Sequence, residues 1–385
     1  MIVATARTPI GRRGGSLSGL KAVELLRHVQ VEVIRRAGIE PETVEQVIGG
    51  CVTQIGEQSL NVTRNAWLNS DLCYEVASTT VDASCGSGQQ ANHLLAALIA
   101  AGVIETGIAC GVESMSRVPI GSNLTSVPGH YKTRDYPYDD PPEAQFGGAE
   151  RIAGRDGITR QHADEYGLCS QRRAAAAWAE RRFSGEIAPL ETPAVNGDGG
   201  QAAGRVLVDQ DQGPRKTTMA GLARLKPLRP GGVHTAGTTS QLADGAAAVL
   251  WMAESRARAL GLRPRARMVA QVLTGADPYY LLDGPIVATR KILARSGMSI
   301  ADFDLYEVNE AFAAVVLAWA RVYHPDFAKL NVNGGAIALG HPLGATGTRL
   351  IVSALSELER TDREFALISL CCGGSLGAAS ILQRM

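Results

Sequence analysis

The stretch Thr79-Thr80-Val81-Asp82-Ala83-Ser84-Cys85-Gly86-Ser87-Gly88 decides how the chain is read. Residues 79–83 are predicted as a strand that runs directly into a turn of small residues. Residues 89–101 have helical spacing, and Gly102 is placed to end that helix. A further strand is predicted at 106–111. Upstream, 2–6 reads as a strand. Residues 21–37 read as a helix through Val23, Leu26, Val29, Val33 and Ala37, stopped by Gly38. Residues 46–52 read as a strand and 61–68 as a helix. Alternation of this kind implies a sheet covered by helices on both faces, an α/β protein.

The second half repeats the plan. Residues 267–275 are strand-like, and 285–295 form a helix ended by Gly297. Residues 305–308 form a strand that leads into Asn309-Glu310-Ala311-Phe312, and 315–323 continue as a helix. Asn331-Val332-Asn333 precedes a glycine-rich turn at 334–347, then a helix at 348–358. A strand at 365–370 runs into Cys371-Cys372-Gly373-Gly374. By type, 81–98 matches 332–355 and 107–114 matches 366–375, which reads as an internal duplication. The composition shifts between the halves. Residues 118–142 suit a long irregular excursion, 143–182 are helical and charged, and 189–215 suggest a hairpin or loop. Such an insert suits a lid or binding element on a rigid scaffold.

Composition excludes several classes. The 385 residues are 45% apolar and 20% charged, so wholesale disorder is excluded. Lys+Arg and Asp+Glu are both 38, which removes any bulk electrostatic case for nucleic acid or an anionic membrane. The seven cysteines (Cys51, Cys73, Cys85, Cys110, Cys169, Cys371, Cys372) contain no CxxC pair. They suggest free thiols in a reducing cytosol, with neither a disulfide framework nor a zinc site. The start, Ile2-Val3-Ala4, shows no signal-peptide pattern. The longest apolar run, 94–104, is short of the ~18 residues of a membrane span. A cytoplasmic protein is expected. Glycine is the outlier at 43 residues, above the usual ~7% share.

Four features could carry chemistry. Cys85 lies between a strand and a helix N-terminus, where a thiol pKa can fall to roughly 3.5–7.5. It reads as a nucleophile or as a buried structural cysteine. His341 sits in a turn too glycine-rich for routine packing. If the halves are related by a pseudo-two-fold, that turn faces the Cys85 turn, making a Cys–His pair plausible. His28, His93, His130, His162, His234 and His324 lack such a setting. Of the vicinal Cys371 and Cys372, one thiol could act as acid or base, or both could simply be buried. Asn309 could anchor a water or an oxyanion, or cap a helix.

Taken together, the motifs resemble those of the thiolase family. Cys85 in Val-Asp-Ala-Ser-Cys-Gly-Ser-Gly resembles its acyl-accepting cysteine. Asn309-Glu310-Ala311-Phe312, Gly340-His341-Pro342 and Cys371-Cys372-Gly373-Gly374 resemble its three later motifs, in order, and the similarity starts at Arg7-Thr8-Pro9-Ile10-Gly11. The resemblance implies the thiolase fold, with duplicated βαβαβαββ halves in a five-layer α/β/α/β/α core. The N-terminal half would be 1–116, completed by about 234–253, and the C-terminal half 254–385. A loop domain at 117–233 would bind coenzyme A, which is a substrate; no permanently bound cofactor is implied.

The resemblance also implies site roles. Cys85 would attack the ketone of a 3-ketoacyl-CoA while His341 takes its proton. Cys371 would protonate the departing acetyl-CoA enolate and then help deprotonate a second coenzyme A. Asn309, through a water, and His341 would form one oxyanion hole. The backbone N–H groups of Cys85 and Gly373 would form the other. Ser240 matches a coenzyme-A-contacting serine, and Arg215 is a looser match for a nucleotide-binding basic residue. A homodimer or homotetramer is expected. The family's Met-Gly-x-Thr-Ala-Glu stretch is here Gln145-Phe146-Gly147-Gly148-Ala149-Glu150, which reads as a pocket wall rebuilt with small residues. That stretch and Gln89-Gln90-Ala91-Asn92-His93 look most like actinobacterial thiolases of steroid side-chain degradation. A degradative 3-ketoacyl-CoA thiolase is the leading expectation. A biosynthetic acetyl-CoA acetyltransferase is the runner-up. A decarboxylating ketoacyl synthase and a non-enzymatic coenzyme-A-binding subunit are the other readings.

Overall fold

The computed structural model describes residues 1–125, 132–196 and 201–385. His130 and part of the predicted 118–142 and 189–215 excursions lie outside the described residues. The strands are β1 (Ile2–Arg7), β2 (Gly11–Arg12), β3 (Gln46–Gly50), β4 (Ala77–Val81), β5 (Thr106–Ser114), β6 (Leu190–Val195), β7 (Gln201–Val208), β8 (Ala243–Met252), β9 (Ala266–Gly275), β10 (Leu305–Val308), β11 (Phe365–Cys372) and β12 (Leu376–Arg384). Strands β6 and β7 form the predicted hairpin.

The other strands form one sheet in the order β10-β11-β12-β9-β1-β8-β5-β3-β4, with β2 on β8. The order is self-similar about its middle. In the first half β5 pairs parallel with β3 and antiparallel with β8. In the second, β11 pairs parallel with β10 and antiparallel with β12. The halves meet where Ile2 of β1 opposes Ala266 of β9. A parallel bridge between Tyr306 and Leu330 stands where β4 stands in the first half. The duplication expected from the sequence is therefore present in the strand pairing.

The core explains the layers. Leu25, Leu26, Val29 and Val33 of the helix Ala22–Ala37 pack with one face of the first-half strands. Ile286 and Ile292 of Gly284–Ser296, and Val315 and Trp319 of Ala313–Tyr323, cover the second half. Leu95 of Ser87–Ala100 and Leu350, Ile351 and Leu355 of Leu343–Thr361 share a cluster with Ile48, Trp251, Ile368 and Leu382. Those two helices are thus the middle layer, sandwiched between the two halves of the sheet. Strands β5 and β8 are buried along their whole length, as strands covered on both faces are.

Three expectations needed correction. The helix predicted at 348–358 runs Leu343–Thr361. Gly344 and Gly347 read as turn residues, yet they are helical because another backbone lies against them. The 334–347 turn contains a helical turn, Ala336–Leu339. The 143–182 helical region is two helices, Gln145–Arg155 and Arg160–Ala179, broken at Gly157 with φ +57°. Strands β8 and β12 were not delineated from sequence, because their alanines and glycines carry little strand propensity.

The middle layer depends on glycine. A Cβ on Gly111 would lie 2.1 Å from the Gly344 carbonyl, and one on Gly88 would lie 2.6 Å from it. Gly111→Ala should lower unfolding free energy by about 1–3 kcal/mol through overpacking. Gly154→Ala, in open space within a helix, should raise it by about 1 kcal/mol. Urea unfolding of both variants checks the pair, and equal effects would refute the packing argument.

Candidate active site

Cys85 lies one residue before the N-cap of Ser87–Ala100. Ser84 before it holds φ +50°, an uncommon conformation for a residue with a side chain. The turn is pinned locally. Ser87 Oγ donates to Ser84 O (2.6 Å) and accepts from Ala83 N (2.9 Å), while Asp82 accepts from Ser84 N (2.7 Å). Cys85 is 3% exposed, and the Gly373 backbone N–H lies near enough to favour its thiolate. Cys372 lies against the same turn, since a Cβ on Gly86 would be 2.5 Å from its sulfur.

His341 is also buried. Thr346 Oγ1 donates to Pro342 O (2.9 Å), so it accepts from His341 Nδ1–H at 2.6 Å. That bond fixes the tautomer and leaves Nε2 bare. Asn309 Nδ2 approaches Nε2 at 3.4 Å, and Asn309 Oδ1 is buried without a partner. The predicted Asn309 and His341 are thus in contact. Cys85 precedes Gly88 by three residues, as His341 precedes Gly344, and Gly88 and Gly344 touch. The two turns open from one junction.

Burial governs the electrostatics. It pushes the Cys85 thiol up to about 11, against the lowering effect of the Gly373 and Cys85 N–H groups. It also holds His341 down at about 3, with a smaller contribution from the Arg349 charge. The sequence expectation of a depressed Cys85 pKa is therefore corrected, because desolvation outweighs the helix N-terminus. At rest the pair is thiol and neutral imidazole. Cys371 is fully buried, and its thiol is raised by burial and then by the Cys85 charge.

Ser240 borders this junction, since the next residue, Gln241, accepts the His341 backbone N–H at 3.0 Å, whereas Arg215 lies apart from it. Ser240 N donates to Ala311 O at 3.0 Å, beside the Asn309 turn. Arg215 lines a cleft of about 420 Å³ with Lys216, Arg224, Leu222 and Leu225. A larger cavity of about 680 Å³, lined by Glu150, Arg160 and Arg229, meets the 145–150 stretch at Glu150 but none of the predicted catalytic or coenzyme-A residues. Among the described residues no cluster could hold a metal ion and no helix could cross a membrane.

The pocket-wall expectation also changes. A Cβ on Gly147 would lie 2.1 Å from Pro142 O, and one on Gly148 would lie 2.7 Å from Tyr280 O. Those glycines admit neighbouring backbone and do not widen a pocket. Sequence reasoning missed Thr346, whose signal was a hydroxyl five residues after His341. It also missed two buried carboxylates. Glu113 accepts from Val52 N, Thr53 N, Gln58 Nε2 and Gly344 N at 2.8–3.0 Å. Glu310 accepts from Tyr166, Ser170, Asn331 and Ile337 N.

Comparison with known proteins fixes the class. Family models of the thiolase N-terminal and C-terminal domains match residues 1–255 and 262–384. The chain is 40% identical over 392 residues to the steroid 3-ketoacyl-CoA thiolase FadA6 of Mycobacterium tuberculosis, covering 100% of this chain and 94% of that one. The acetyl-CoA acetyltransferase of Bacillus anthracis superposes with TM-score 0.90 at 36% identity. Human mitochondrial 3-ketoacyl-CoA thiolase does so with TM-score 0.90 at 34%. Both superpositions cover 100% of this chain and 98% of the other. The chain belongs to the thiolase family and is an acyltransferase with the thiolase fold.

Two outcomes test the site. Alkylation of Cys85 by iodoacetamide, followed by peptide mass, should rise about tenfold per pH unit from about pH 7 to 10. A plateau near neutrality would show a resting thiolate instead. Thr346→Val should lower kcat about tenfold to a hundredfold, part of the 10²–10⁴ that a positioned base supplies. An unchanged kcat would remove Thr346 from the site.

Proposed function

We propose that the chain is a degradative 3-ketoacyl-CoA thiolase acting in lipid or steroid side-chain β-oxidation, cleaving a 3-ketoacyl-CoA with coenzyme A into acetyl-CoA and a shortened acyl-CoA. A 2-methyl-branched substrate would release propionyl-CoA instead. The observation that carries the reading is the bare His341 Nε2, oriented by Thr346 and touching Asn309, in the junction shared with Cys85. The 40% identity to a steroid 3-ketoacyl-CoA thiolase supports the degradative direction.

Cys85 Sγ attacks C3 of the substrate as His341 Nε2 takes the thiol proton. Each group alone prefers to be neutral, so proton transfer accompanies carbon–sulfur bond formation. The negative oxygen that forms meets the backbone N–H groups of Cys85 and Gly373, or His341 with a water on Asn309. Removing one such donor typically costs about 10²–10³ in rate. The C2–C3 bond then breaks, its electron pair goes to the acetyl-CoA enolate, and Cys371 protonates C2. A second coenzyme A gives its thiol proton to Cys371 and attacks the thioester, and Cys85 leaves as thiolate and takes back the proton held on His341.

Coenzyme A is assigned to the 117–233 loop domain, between the halves at 1–116 with 234–253 and at 254–385. Support comes from the Arg215 cleft, where Lys216 and Arg224 add charge for phosphates and Leu222 and Leu225 add apolar surface for a base. Ser240 lies between that domain and the Asn309 turn. Among the described residues strand β4 pairs only with β3 and is partly exposed, which supports assembly into a homodimer or homotetramer. A cytoplasmic location fits seven free cysteines.

The similarity to an acetyl-CoA acetyltransferase favours the biosynthetic alternative, making acetoacetyl-CoA. Steady-state cleavage rates across acetoacetyl, long-chain and steroid-side-chain 3-ketoacyl-CoAs decide between them. A strong preference for acetoacetyl-CoA defeats the degradative reading. Cys371→Ala should abolish thiolysis while acylation of Cys85 stays visible by intact mass, and unimpaired turnover would refute the role of Cys371.

A further inference from the structure

Gln145 opens the helix Gln145–Arg155. Glu143 and Ala144 before it hold φ of +56° and +49°. Residues with side chains avoid that region, and it persists where the surroundings impose it, often at ligand sites. Here the imposing feature is the close fit of Gly147 against Pro142 and of Gly148 against Tyr280.

The strained entry sets the Gln145 carboxamide over the Cys371-Cys372-Gly373-Gly374 turn. Its Nε2 lies 3.5 Å from where a Cβ on Gly373 would stand, and Ser84 Oγ lies 3.1 Å from the same point. Ser84 is the residue before Cys85, so this point stands beside the nucleophile's turn. Gln145 is half-buried, and among the described residues its side chain has no hydrogen-bond partner. The next residue is apolar, with Phe146 meeting Phe312 edge-on at 5.6 Å. One unpaired amide therefore stands in an aromatic wall beside the nucleophile.

We propose that Gln145 is a specificity-determining residue, selecting acyl groups that carry a neutral oxygen a few atoms from the thioester over plain alkyl chains. The proposal rests on the thiolase reading above. A ketone or hydroxyl oxygen accepts from Nε2–H, and a hydroxyl can also donate to Oε1. An alkyl chain covers the amide and gives it nothing in return, and sites that hydrogen-bond a substrate reject analogues on that ground. A neutral oxygen matches the neutral amide, and the nearby cation Arg229, which reaches Gly147, is ion-paired with Glu143 at 3.3 Å although its Nε makes no hydrogen bond among the described residues.

The test compares kcat/KM for thiolysis of 3-ketohexanoyl-CoA and its 5-hydroxy analogue by the full-length enzyme, Gln145→Met and Gln145→Asn. The wild type should favour the hydroxylated substrate about three- to tenfold, the worth of one neutral hydrogen bond. Q145M should bring the ratio near one, and Q145N should restore part of it. Acylation of Cys85, read by intact mass, shows that each variant is folded. An active wild type indifferent to the hydroxyl, or a Q145M enzyme that keeps the preference, overturns the assignment and leaves the thiolase reading standing. An enzyme inactive on both substrates overturns both.

Discussion

One buried carboxylate, Glu113, holds the site together. It sits near the end of β5, fully buried, and takes four hydrogen bonds from N–H donors besides a long one from the Cys51 thiol. Three come from the first half, at Val52, Thr53 and Gln58. The fourth comes from Gly344, in the first turn of the helix that follows His341. A carboxylate in such a place is costly without partners, and burial does raise its pKa against the pull of those four donors. Its pairing therefore fixes how far the second half stands from the first. The glycine contacts depend on the same distance, because Gly88, Gly111 and Gly344 allow backbone to meet backbone with no side chain between.

Glu310 performs the corresponding task for the insert. It ties Tyr166 and Ser170 of the helix Arg160–Ala179 to the backbone at Ile337. Asn309 next to it is thereby held against His341. Arg7 makes a third tie, bonding Glu186 and Asp211 of the insert while 1% exposed. The Glu and Arg of two family motifs thus act as fasteners. A buried pair of this kind is a poor source of net stability. Its value here is in fixing register between segments far apart in sequence.

The sequence made the α/β alternation legible because strands and helices differ in period, and the matches of 81–98 with 332–355 and of 107–114 with 366–375 survived as a repeated strand–turn–helix–strand. Cys85, Asn309, His341 and Cys371 stood out because reactive side chains among glycines have no routine packing role. Other features depended on distance. Nothing local marks Gly344 as helical, since its conformation answers to Glu113 and Gly111. Nothing local marks β8 or β12, whose small residues are strands only because neighbours pair on both sides. The direction of the Cys85 pKa shift escapes the sequence for the same reason. A helix N-terminus is visible in sequence, but the layers that desolvate it are not.

That desolvation shapes the chemistry proposed for the site. Burial raises the Cys85 and Cys371 thiols and lowers the His341 imidazole, so none of the three carries a charge at rest. The arrangement disfavours a standing thiolate, which would meet oxidants and adventitious electrophiles. The same low dielectric strengthens every N–H donor aimed at a developing oxyanion. Charge then becomes affordable only when a substrate carbonyl occupies the space between Cys85, His341 and Gly373. A more exposed site would hold a thiolate more easily and stabilise the transition state less. The buried glycine junction favours the second quantity at the expense of the first.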